Sequence, residues 1–95
     1  MNDLFWLQDW YQSYCDGVYE PLYGISIVTL DNPGWNLKIY IVDTKLLGKK
    51  YELKSVEIDD LNWYRCWVED GFFRGVGGVQ NLVDIIRCFR QWVEE

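Results

Sequence analysis

The chain reads as a single α+β domain: a mainly antiparallel sheet of four to five strands flanked by an N-terminal and a C-terminal helix. Three observations predict this. Ninety-five residues are enough for one sizeable core and too few for two, so residues 1–95 are one domain. Apolar residues make up 49% and charged residues 25%, the balance of a folded chain rather than a disordered one. Hydrophobic spacing is helical at both ends of the sequence and alternating between them.

Residues 3–15 place Leu4, Leu7, Tyr11 and Tyr14 on one helical face, with Trp10 at its margin. Asn2 or Asp3 suits the helix start, and Asp16-Gly17 supplies the stop. Residues 23–31 alternate and are rich in β-branched side chains, as a strand requires. Asp31-Asn32-Pro33-Gly34 then predicts a type II turn, with Pro33 fixing φ and Gly34 supplying a positive φ. Residues 35–42 return with Trp35, Leu37, Ile39 and Ile41 on one face, making the clearest hairpin in the chain.

A third strand over residues 50–58 is more polar. Lys49, Lys50 and Lys54 suit the guarding of an edge, and a phase shift between Leu53 and Val56 predicts a bulge. Residues 61–69 oppose Tyr64, Cys66 and Val68 to Trp63, Arg65 and Trp67, which predicts some cover on both faces. Asp70-Gly71 turns into a short fifth strand, Phe72 to Arg74. Gly75, Gly77 and Gly78 then read as a connection needing positive φ, since neither phosphate-loop signature is complete. In the final helix, about 80–94, Leu82, Ile85, Ile86, Phe89, Trp92 and Val93 form a stripe suited to packing on a sheet, with Asn81 and Asp84 at its start. The order is a meander with a helix at each end.

The chemistry is bounded by what is missing. There is no histidine, which removes imidazole bases, Ser-His-Asp catalysis and His-bearing metal sites. Three cysteines without a CxxC pair give no structural zinc motif, so neither metal nor cofactor is expected. Cys15 falls at a helix C-terminus beside Asp16, a setting that disfavours a thiolate; a small sulfur-transfer enzyme using Cys15 is the alternative class. Residues 1–15 carry no early cation and do not read as a signal peptide, and no apolar run approaches a membrane span. A reduced, cytoplasmic protein without membrane contact is expected.

Charge is uneven. The net value is −6, yet residues 1–35 carry five acids and no base, residues 36–55 carry five lysines, and residues 56–73 carry five acids against one Arg. An acidic N-terminal third repels phosphate backbones and steers toward a basic protein partner. The same third holds more aromatic rings than one helical face can hide, and rings rimmed by carboxylates are typical of binding hot spots. The candidate partner-binding residues are Trp6, Asp9, Asp16, Tyr19, Glu20, Asp31 and Trp35. In this reading Asp9, Asp16, Glu20 and Asp31 steer and pair while Trp6, Tyr19 and Trp35 anchor. No catalytic set is assigned.

Taken in order, WLQDWYQSYCDGVYEPLYG (Trp6 to Gly24), TLDNPGW (Thr29 to Trp35), WVEDGFFRGVGG (Trp67 to Gly78) and NLVDII (Asn81 to Ile86) resemble the bacterial immunity protein 53 family of polymorphic toxin systems. The similarity spans nearly the whole chain. Tyr19 stands where the family pattern has Trp, a conservative change. The resemblance implies a small cytoplasmic protein that binds and blocks a cognate toxin domain. If the toxin is a nuclease, its nucleic-acid cleft would be basic and an acidic surface would complement it.

Overall fold

The computed structural model describes residues 2–15, 17 and 24–95. Helix α1 (Asp3–Ser13) is followed by strands β1 (Ile25–Leu30), β2 (Gly34–Tyr40), β3 (Lys54–Asp59), β4 (Asn62–Glu69) and β5 (Phe72–Gly77), and the chain closes with helix α2 (Leu82–Glu94). All four pairings are antiparallel, so the α+β architecture with two flanking helices and five strands is as expected. The strand order is β1-β2-β5-β4-β3. This corrects the meander: β5 inserts at the centre and joins the β1–β2 hairpin to the β3–β4 hairpin.

Local chemistry explains the element boundaries. Asn2 caps α1, its Oδ1 accepting from the N–H of Leu4 (2.7 Å) and of Phe5 (3.4 Å). Asp70 and Gly71, with φ of 53° and 82°, make the two-residue turn between β4 and β5, whose mirror-image geometry suits the twist of the flanking strands. Gly34 departs from expectation. It is not among the positive-φ residues, and it opens β2 rather than occupying a type II turn. It must be glycine because any Cβ would run into the Gly77 carbonyl oxygen. Gly75 and Gly77 are likewise strand residues, not a loop. A Cβ on Gly75 would collide with the Ile85 side chain, so these glycines let α2 lie close on β5.

The core lies between one sheet face and the two helices. Leu37, Ile39, Cys66 and Phe73 face Ile85, Ile86, Phe89 and Trp92 of α2, with Leu7 and Trp10 of α1 completing the layer. Phe89 is the hub, its ring 4.9 Å from Trp10, 5.0 Å from Phe73 and 6.0 Å from Trp6. Asp3 ties α1 to α2 through Arg87 (3.1 Å) and Arg90 (3.2 Å). No described element covers the opposite sheet face. There Trp63, Trp67 and Phe72 are half-buried, with the rings of Trp67 and Phe72 under Arg74 and Lys38, so the partial cover expected on this face comes from the sheet's own side chains rather than from a second layer.

The segment from Ile41 to Leu53 carries the chain from β2 to the edge strand β3. The C-terminal end of α2 holds it: Trp92 Nε1 donates to the Lys50 carbonyl (2.8 Å), and Lys49 Nζ donates to the Trp92 carbonyl (2.6 Å) and the Glu95 carbonyl (3.1 Å). Lys49 therefore caps a helix rather than guarding an edge. Lys54 does lie on edge strand β3. The bulge of β3 falls between Glu57 and Asp59, further along than the phase shift predicted.

Candidate functional site

The seven candidate residues lie in different parts of the fold. Trp6 packs edge-on against Phe89 and under the Arg90 guanidinium, whose central carbon is 5.7 Å from its ring centroid, so part of this ring belongs to the α1–α2 joint. Asp9 is exposed on α1. Trp35 donates its indole N–H to the Val79 carbonyl at 2.8 Å, bracing the connection that leads into α2. Asp31 is exposed in the turn between β1 and β2. Asp16, Tyr19 and Glu20 lie outside the described residues. α1 also presents Phe5, 62% exposed, beside Leu4, and an apolar groove of about 340 Å³ runs between α1 and β1, lined by Leu4, Leu7, Gln8, Tyr11, Ile25 and Ile27.

A second acidic and apolar surface lies at the β3–β4 turn. The register shift after Glu57 leaves Ile58 without a partner in β4 and pushes it outward. Leu61, at the tip, is 80% exposed and Ile58 is 68% exposed, the highest values among the large apolar side chains of the described residues. Asp59 and Asp60 lie between them, and Asp59 Oδ1 fixes the tip by accepting from the Leu61 N–H at 2.8 Å. An open hollow of about 350 Å³ adjoins the tip, lined by Asn32 from the β1–β2 turn together with Glu57, Asp59, Asp60 and Trp63. Its lining carries three carboxylates and no cation, so its field is strongly negative.

Buried Asn81 supports this end of the sheet from behind. Its Nδ2 donates to Asn62 Oδ1 (2.8 Å) and Asp84 Oδ2 (2.9 Å), and its Oδ1 accepts from the Trp63 N–H (3.3 Å). It stands at the start of α2 but makes no side-chain capping bond, because its amide is engaged with β4 and Asp84. The acidic excess of residues 56–73 was the sequence signal for this surface. What spacing could not show was that a bulge and a two-residue tip would turn that charge outward together with Ile58 and Leu61.

Thiol chemistry has little support in the geometry. Cys15 is exposed and its Sγ donates to the Tyr11 carbonyl at 3.3 Å. Cys66 on β4 and Cys88 on α2 are buried, and the neighbouring Cys88 thiol together with burial holds the Cys66 thiol well above its ordinary ionisation range. Among the described residues no group of three potential ligands is placed to hold a metal ion. No helix among them is long and apolar enough to cross a membrane.

Residues 4–94 match the family model described as Immunity protein 53. No curated protein and no solved structure matches the chain. The chain belongs to the immunity protein 53 family.

Proposed function

We propose that this immunity-family protein neutralises a cognate toxin domain by stoichiometric binding, with the β3–β4 tip as a principal contact. The observation that carries the reading is the tip itself: Ile58 and Leu61, the two most exposed large apolar side chains among the described residues, bracket two exposed carboxylates. Contiguous apolar groups rimmed by charge supply both halves of a protein contact, since the apolar part gains energy on burial and the charge orients the encounter. Exposed Asp9 and Asp31 add negative charge outside the tip, Asp16 and Glu20 contribute the same sign to the N-terminal third of the sequence, and Tyr19 is a candidate anchor. Trp6 and Trp35 contribute through whatever part of each ring their packing leaves free.

A partner that fits this surface is basic, and a nuclease domain is the class whose substrate cleft must be basic. The protein would work without turnover in the cytoplasm, occupying the toxin and transforming nothing. Co-expression with a candidate toxin domain, should a neighbouring gene encode one, followed by binding kinetics on the purified pair, supplies the test. Asp59→Lys with Asp60→Lys is expected to slow association by about tenfold or more, with the dependence on salt reduced. Ile58→Ser with Leu61→Ser is expected to speed dissociation by a similar factor. Cys15→Ser is expected to protect as well as the wild type. Full protection and unaltered rates in both tip variants, at unchanged melting temperature, would remove the tip from the interface.

A further inference from the structure

We propose that β1 is a self-association edge, where two copies of this chain pair β1 against β1 antiparallel and join their sheets into one. This stands independently of toxin binding. Both β1 and β3 are edge strands, but they are built differently. β3 carries Lys54, Glu57 and Asp59 and ends in a bulge, which are ordinary protections against edge pairing. β1, with the sequence ISIVTL, has no charge, proline or bulge, and its register with β2 is unbroken over six residues. Among the strands of the described residues it is the one without a charged residue.

The backbone direction suits the pairing. The Tyr40 N–H donates to the Gly24 carbonyl at 3.0 Å, and Ile25 stands opposite Ile39, so Ser26, Val28 and Leu30 direct their backbone groups at β2. In an antiparallel ladder the alternate residues Ile25, Ile27 and Thr29 then turn their N–H and C=O groups outward. No described strand pairs with that side, and Ser26 through Thr29 are all exposed.

Charge selects a second copy as the occupant. Two molecules of net charge −6 repel over most of their surface, and they approach most easily where neither presents a charge. β1 is such a place, and so is the adjoining groove, where Leu4, Leu7, Gln8, Tyr11, Ile25 and Ile27 carry no charge between them. A two-fold axis perpendicular to the sheet sets β1 against itself and keeps both α1 helices on the same side. Leu4 and Ile27, both exposed in the single chain, then lie close to the added strand.

Sedimentation equilibrium of the full chain without toxin tests the pairing. The expected mass rises with concentration toward twice 11.4 kDa. Val28→Lys, which sets like charges near the axis, and Thr29→Pro, which deletes an outward N–H that β2 does not use, are each expected to weaken the dimer by about tenfold or more. Melting temperatures of the two variants, measured at a dilution where the wild type is monomeric, check that the fold survives. A wild-type mass of one chain at every concentration up to about 1 mM, the weak end of the affinity scale, overturns the proposal. So does a dimer that both folded variants leave intact. A monomer whose toxin complex fails on Thr29→Pro would assign the edge to a strand of the toxin, against a second copy.

Discussion

At the scale of single residues, three side-chain positions carry strong expectations. Replacing Gly by Ala in extended backbone ordinarily stabilises by about 0.4–1 kcal/mol through the unfolded chain. At Gly75 the Ile85 side chain already occupies the Cβ position, and overpacking of that kind costs about 1–3 kcal/mol, so the clash outweighs the gain in chain entropy. Gly75→Ala is expected to lower the melting temperature by several degrees, which a thermal melt reads directly. Asn81→Leu strips partners from Asn62, Asp84 and the Trp63 N–H in a site only 2% exposed, and should cost about 1–3 kcal/mol in a denaturant titration. Tyr51 gives a pH signature. Burial, then the neighbouring thiols, push its phenol above the ordinary value near 10, so the folded state holds this proton more tightly than the unfolded one. Its contribution is complete below that ordinary value and fades as pH rises through the folded one, so stability falls in alkali and Tyr51→Phe should flatten the fall. These positions were legible in the sequence only as residue types. The glycines invited a reading of positive φ, when the real constraint was the approach of another part of the chain, which no local pattern encodes.

At the scale of elements, legibility follows the strength of the periodic signal. α2 was plain because its stripe faces a sheet, and Ile85, Ile86, Phe89 and Trp92 are all buried as expected. β2 was plain for the same reason, with Leu37 and Ile39 buried and polar residues between them. β5 runs three residues past the expected end at Arg74, because glycines in a strand resemble a loop until the helix that needs them is in view. α1 is weaker as an amphipathic helix, carrying exposed Leu4 and Phe5 beside buried Leu7 and Trp10, and it depends on its docking. Asp3, whose side chain is 12% exposed and meets two guanidinium groups, supplies a specific part of that docking. Asp3→Asn keeps the shape and removes the charge. It is expected to cost about 1–2 kcal/mol, between the values for exposed and buried charged contacts, with the difference from wild type shrinking at high salt. Urea titrations at two ionic strengths check both parts.

At the scale of the whole molecule, the α+β class and the two-ended helical arrangement could be read from the sequence, but the strand order could not. Alternation says that a segment is a strand and says nothing about its neighbour, so the simplest path, a meander, was the natural expectation. Of the candidate binding surface, the acidic N-terminal third was legible from charge counting. The β3–β4 tip needed a bulge that the sequence placed several residues early. The two surfaces separate in mutation: charge reversal at Asp59 and Asp60 should change toxin association and leave self-association alone, while Val28→Lys should do the reverse. Sedimentation and binding kinetics on the same two proteins read both. The central position of β5 has one more consequence. During synthesis the chain emerges with its two hairpins made first and the strand that unites them made nearly last. A nascent chain that has not yet released Phe72 to Gly77 from the ribosome holds two hairpins with no strand to pair them, so the sheet closes into one only when synthesis is almost complete.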